Sequence, residues 1–321
     1  MLAIFQGIFN GLSIGSVLLI AALGLAIVFG LMGVINLAHG ELMMLGAYTT
    51  YLVQNGFKIL GDPWVNFYTL AAIPLAFLVA ALVGLILERG VIRFLYGRPL
   101  ETLLATWGVS LILQQSVRSI NPRNVDVTPP AWLRGGIPIG NFQLPYARIF
   151  IIVLTILCVV AVYLFLNRSS WGLKIRAVTQ NRQMSSCLGI PTAQVDALTF
   201  AIGSGLAGIA GCAITLLGSV GPNTGQNYIV DTFMVVVVGG VGNLFGSIVA
   251  AMAIGIVTYL IGSGTFVTLL DPIAALQPVV AVFEFFATTS MAKVLVFSLI
   301  IVFLQVRPAG IFPQKGRTAE L

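Results

Sequence analysis

The sequence predicts an all-α protein: a polytopic transmembrane helical bundle of about nine spans or part-spans, with one transmembrane domain over residues 1–321 and two structural repeats containing broken helices. Three observations predict it. Hydrophobic residues make up 58% of the chain and charged residues 8%, with a mean hydropathy of +1.03, whereas soluble domains carry about 25% charge. The apolar runs are continuous and fill both parities instead of alternating with polar residues, which selects helices over a barrel. Finally, Gly33-Val34-Ile35-Asn36-Leu37 recurs as Gly240-Val241-Gly242-Asn243-Leu244, each time followed by an apolar run that reaches Thr-Tyr-Leu, at Thr50 to Leu52 and at Thr258 to Leu260. Matched breaks in the two halves of a membrane chain point to a solute route where broken helices meet.

Taken in order, the apolar runs are Phe5 to Phe29, Gly40 to Val53, Val65 to Leu87, Glu101 to Ser116, Ala147 to Leu166, Ala193 to Leu217, Ile229 to Gly239, Phe245 to Ile261 and Ala292 to Leu304. Several are shorter than the ~20 residues a span needs, so half-helices are expected among them. The first run is read as a permanent helix, since no Lys or Arg precedes Lys58 to form the basic region of a cleaved signal. Gly203, Gly205, Gly208 and Gly211 lie inside the sixth run and predict a tight helix crossing, because absent side chains let backbones approach. The stretch from Val279 to Thr289, with Glu284, reads as interfacial or re-entrant.

The net charge of +6 is concentrated in loops. Arg89, Arg93 and Arg98 precede the fourth run; Arg168, Lys174, Arg176 and Arg182 fill residues 167–194; Arg307, Lys315 and Arg317 end the chain. The positive-inside tendency places these on the cytoplasmic side and residues 117–148 outside, although Arg118, Arg123, Arg134 and Arg148 run against the rule. The prolines and Gly135-Gly136 of that outer loop predict an ordered excursion and not a further helix. Both Asn-Leu breaks then fall toward the cytoplasm, which makes the repeats parallel; reassigning one short segment makes them inverted.

Cys158, Cys187 and Cys212 lack paired spacing and His39 is the lone histidine, so no disulfide framework or metal site is expected. No catalytic residue, metal or cofactor is assigned. The chain has no Gly-rich phosphate loop ending in Gly-Lys-Ser or Gly-Lys-Thr, so an ATP-driven process would need a motor docked from outside. Residues 167–194 offer a docking lever: Trp171 to Val178 looks like a short helix, and Cys187 to Pro191 closes it with Gly189. Trp171, Lys174, Arg176 and Gly189 are its candidate coupling residues, against the alternative of a solvated loop that only sets topology.

Three segments carry a resemblance. Gly33 through Glu41, Gly172 to Ala177 with Leu188 to Ile190, and Gly239 through Gly246 resemble the inner-membrane permeases of the branched-chain amino acid type of ABC importer. Within that family Glu101 to Gly108 and Gly221 to Phe233 look most like the urea-type permease. The resemblance implies a permease domain in a bacterial plasma (inner) membrane, paired with a second homologous permease as a heterodimer. It also implies two ATP-binding subunits and a periplasmic substrate-binding protein, with no nucleic acid partner. Residues 117–148 become an extracytoplasmic loop, and 167–194 a cytoplasmic coupling loop.

Urea needs amide, hydroxyl and carboxylate partners, whereas an amino acid must have both of its charges compensated. The spans lack basic residues except at their edges, which fits a neutral solute; a helix amino end can also hold a carboxylate. Pathway candidates are Asn36, His39 and Glu41 at the first break, Thr106, Trp107 and Gln114 on the fourth run, and Asn243 at the second break. Asn36 and Glu41 are equally readable as a cap and a first-turn acid of the next helix. Asn223, Thr224, Gln226 and Asp231 are read as an outer mouth.

Overall fold

The computed structural model describes residues 2–139, 142–270 and 284–312. The chain is an all-α polytopic membrane protein, and each of the nine apolar runs becomes a helix. These are α1 (Leu2–Met32), α2 (His39–Leu60), α4 (Tyr68–Gly90), α5 (Pro99–Ile120), α6 (Tyr146–Arg168), α9 (Thr192–Ile214), α10 (Thr224–Gly239), α11 (Leu244–Gly262) and α13 (Thr289–Val306). Short helices α3 (Asp62–Val65), α7 (Ser170–Gln180), α8 (Arg182–Cys187) and α12 (Thr265–Leu270) join them. Five of the described helices, α1, α4, α6, α9 and α11, are long and apolar enough to cross a membrane. Of the stretch 279–289, residues 279–283 lie outside the described residues, as do Lys315 and Arg317.

Helices α1 and α9 form the centre. In their apolar windows 83% of residues are buried, against 22% in α4 and 28% in α6. The outer two present Leu78, Leu82 and Ile86, or Ile156, Leu157 and Leu164, to their surroundings, as lipid-facing helices do. The glycine-rich crossing expected on α9 is present and serves three neighbours: Gly203 lies against Gly24 of α1, Gly208 against Gly46 of α2 and Ala76 of α4, and Gly211 against the Met43 carbonyl. A methyl group at any of these positions would meet main chain. With no hydrophobic drive between helices in lipid, that close packing is what holds the centre together.

At one end of the bundle, residues 117–148 hold a two-stranded antiparallel hairpin, β1 (Gly136–Ile139) with β2 (Phe142–Pro145). The loop is anchored to the bundle. Val125 pairs with Val220, and the Thr128 carbonyl accepts from Gln54 Nε2 at 2.7 Å and Tyr68 Oη at 2.8 Å. At the opposite end lie α7 and α8. Residues 167–194 thus form two helices where the sequence suggested one, because Asn181 interrupts them and caps α8 by accepting from Met184 N at 2.9 Å. Gly189 closes the second helix at φ +80°, a left-handed conformation that glycine adopts without strain.

Candidate functional site

The first break is a re-entry and not a simple turn. After Met32 the chain turns at Gly33 (φ +69°) and climbs back, so that α2 starts beside the middle of α1. His39 fixes the level: its Nε2 lies 3.0 Å from the carbonyl of Ala21. Ala21 is eleven residues before the end of α1, a height of about 16 Å at ~1.5 Å per residue. A carbonyl only accepts, so Nε2 carries the proton, and in the neutral ring Nδ1 is left as a buried acceptor without a partner.

Helix α10 begins at the same level from the other direction. The chain leaves the top of α9, pairs Val220 with Val125, and enters α10 at Thr224, whose Oγ1 accepts from Gly221 N at 2.8 Å. Gly225 then lies directly against Gly40 and Glu41, the first turn of α2. A Cβ on Gly225 would sit 2.6 Å from Glu41 Oε2. Two helices therefore start inside the protein with their amino ends together and diverge in opposite directions. Each amino end carries roughly half a positive charge and unpaired N–H groups.

Glu41 occupies this junction and is 1% exposed. Its Oε1 accepts from Ser110 Oγ at 3.2 Å, while Oε2 is buried without a partner. Asn36, also 1% exposed, spends Oδ1 on the N–H of Ala38 at 3.0 Å and leaves Nδ2 without a partner. This is an Asx-type turn that launches α2, close to the capping alternative. The junction thus holds an orphan donor on Asn36 and orphan acceptors on Glu41 and His39. Each such buried group costs about 1–3 kcal/mol when no bond is supplied to it.

Helix α5 forms the third wall, and it is inverted in polarity. Its buried positions are Thr102, Thr106, Ser110 and Gln114, whereas Leu104, Trp107, Leu111 and Ile112 face out. Thr106 Oγ1 accepts from Leu37 N at 3.2 Å and so ties α5 to the break. Gln114 joins it to the α10 entrance, donating through Nε2 to Asn223 Oδ1 at 2.8 Å and accepting from Gln226 Nε2 at 3.3 Å. Below these, the seam lined by Asn36, Leu87, Ile92 and Thr106 has no room for a water molecule.

The structure brings together Asn36, His39, Glu41, Thr106 and Gln114, with Asn223, Thr224 and Gln226 just above. Three predicted residues stand apart. Trp107 is 52% exposed on the outer face of α5, because it is one position removed from the polar stripe. Asn243 caps α11, accepting from Gly246 N at 3.1 Å and donating to Phe312 O at 3.2 Å. Asp231 faces away from the junction and pairs with Lys293 of α13 at 2.5 Å. Ser110, Gly40 and Gly225 were missed by the sequence reading, although Ser110 falls midway between Thr106 and Gln114 at helical spacing.

At the α7–α8 end, Lys174 lies 4.5 Å over the Trp171 ring and Arg176 donates to Asn167 Oδ1 at 2.9 Å. Leu173, Met184 and Leu188 are exposed there. Arg182 joins this loop to the bundle: it pairs with Asp196 of α9 at 2.5 Å and stacks over Tyr96 at 4.8 Å. Burial, with the Asp196 and Glu88 carboxylates nearby, pushes the Tyr96 phenol well above its usual range, so it stays a donor to Glu88 Oε1 at 3.1 Å.

A helical membrane body with two interior helix starts facing each other across a buried polar cluster defines the class of polytopic permeases built on broken helices. The chain belongs to the family described as branched-chain amino acid transport system / permease component, whose model matches residues 7–304. It is 31% identical over 258 residues, 78% of this chain and 84% of the relative, to the high-affinity branched-chain amino acid transport system permease protein BraD of Pseudomonas aeruginosa. It is 29% identical over 313 residues, 95% of this chain and 94% of the relative, to the permease protein LivH of the same kind of system in Escherichia coli. A probable branched-chain amino acid transport permease of Methanocaldococcus jannaschii is 25% identical over 77% of this chain and 79% of its own length. These relatives are transport permeases and not enzymes. No solved structure matches the chain.

Proposed function

We propose that the chain is the transmembrane permease subunit of an ATP-binding cassette importer in a bacterial plasma membrane, and that its solute passes between the amino ends of α2 and α10. The observation that carries this reading is the junction itself, with the orphan polar atoms of Asn36, His39 and Glu41 gathered where two helices start. Partner ATPases act on residues 167–194, where Leu173, Met184 and Leu188 offer an apolar docking face beside Lys174 and Arg176. Arg182 passes their movement to α9 through Asp196. A second homologous permease completes a heterodimer, and a periplasmic substrate-binding protein delivers solute to the hairpin end.

For the solute, the names of the relatives support a branched-chain amino acid first. Urea or a short amide is the second reading, and a specific observation favours it. Asn36, His39, Glu41, Thr106, Ser110 and Gln114 at the junction include no Lys or Arg, the one carboxyl among them is Glu41, and the cation Arg118 reaches only Asn223 Oδ1 above them, at 2.6 Å. For a neutral amide, Asn36 offers an N–H donor and Glu41 an acceptor. Uptake of labelled leucine and labelled urea into proteoliposomes holding the whole importer, each competed with the other, decides between them. ATP-dependent uptake of neither, or passive conduction by this chain alone, would overturn the importer reading.

A further inference from the structure

The face of α10 turned away from the junction borders a second space. A cleft of about 730 Å³ lies between α1, α10, α11 and α13 toward the hairpin end, within the size range of ligand pockets. One part of its wall is apolar, formed by Ile14, Leu18, Ile254 and Phe297. The other part carries charge of both signs: Asp231, Lys293 and Arg148. Asp231 meets Lys293 through Oδ2 at 2.5 Å, and among the described residues its Oδ1 makes no hydrogen bond. Arg148 donates to the main-chain oxygen of Asn10 at 3.3 Å, and no carboxylate among the described residues lies within ion-pair distance of it.

The three groups are unequal in number, with two cations for one anion. A buried or half-buried charge without a partner is costly, and a closed pair is costly to break unless each member regains a partner. A zwitterion satisfies both conditions at once. Its ammonium replaces Lys293 on Asp231, and its acid group takes up the released Lys293 together with Arg148, so every charge ends paired. A neutral solute offers no such exchange.

We propose that this cleft binds a zwitterion with an aliphatic tail, its ammonium on Asp231, its acid oxygens on Lys293 and Arg148, and its tail against Ile14, Ile254 and Phe297. A free branched-chain amino acid and an ethanolamine phospholipid share this chemistry. The amino acid form rests on the amino acid reading of transport; the lipid form does not. Binding to the chain is therefore measured without uptake, so that the two readings fail separately.

The full chain is placed in phosphatidylcholine nanodiscs and titrated with labelled leucine, with urea as competitor. In parallel, phosphatidylethanolamine retained through delipidation is read by native mass spectrometry. The expected result is leucine binding, or retained phosphatidylethanolamine, that weakens at least tenfold in Asp231→Asn and Lys293→Met, weakens less in Arg148→Met, and is not competed by urea. The exchange of Asp231→Lys with Lys293→Asp keeps the pair and serves as the folding control, read by thermal stability. Leucine binding assigns the site to the free amino acid, and lipid retention alone assigns it to the headgroup. A wild-type chain that holds neither, or single variants that bind like wild type while staying folded, would overturn the proposal and leave the pair a structural tie between α10 and α13.

Discussion

The two Gly-Val-x-Asn-Leu breaks carry the same pattern and do different work. They are neighbours, since Gly30 near the end of α1 lies against Gly242. At the second, Gly240 and Gly242 turn the chain at φ +100° and +82°, and Asn243 caps α11 with both ends of its amide bonded. Such a cap contributes about 0.5–2 kcal/mol of stability. At the first, Asn36 bonds only two residues ahead, and the helix that follows starts deep inside with unsatisfied atoms on Asn36, His39 and Glu41. The shared letters encode a turn that leaves a helix; what the next residues meet decides whether the turn is a cap or a site. The spatial counterpart of the α2 start is therefore the α10 start at Gly225, and not the second copy of the motif.

The strongest way to break that comparison is Gly225→Ala. Its Cβ would lie 2.6 Å from Glu41 Oε2 and 2.7 Å from the Gly40 carbonyl carbon, a clash worth about 1–3 kcal/mol. Uptake by the reconstituted importer should fall to near background. Gly56→Ala, which meets nothing within 4 Å, should leave it intact, and equal loss in both would refute the close approach.

Next comes Glu41→Gln, which keeps the shape but changes the group presented at Oε2. Uptake is expected to drop roughly tenfold, about 1.4 kcal/mol in the barrier, while ATP hydrolysis by the assembled complex persists. Asn243→Ala should instead cost about 1 kcal/mol of stability through the lost cap, seen as a lower thermal midpoint, with uptake per folded complex unchanged. The smallest effect is expected for Trp107→Leu, within about 0.5 kcal/mol on stability and without change in uptake rate, because that ring faces out.

Much of this was legible in the sequence. Continuous apolar runs located each major helix, and the glycines of α9 announced a crossing because only close backbone approach rewards that composition in lipid. The buried stripe of α5 was readable as well: Thr102, Thr106, Ser110 and Gln114 recur at a spacing of four, which also places Trp107 off the stripe. What the sequence hides is depth and long-range pairing. Nothing local says that α2 starts beside Ala21, that Gly225 meets Glu41, or that Lys293 crosses 62 positions to reach Asp231. Those contacts follow from how the other helices pack around the buried pair α1 and α9.

The account rests on solute passing the α2–α10 junction, and Ser110 is the residue placed to report it. In an importer with the exposed Cys187 replaced by Ser, the variant Ser110→Cys is exposed to a small thiol reagent during turnover, beside Ser247→Cys, buried next to the second break. Labelling at position 110 that rises with ATP turnover and is slowed by the transported solute, with position 247 inert throughout, is the predicted result. A position 110 that never reacts, or reacts at a rate the solute does not change, would contradict the account.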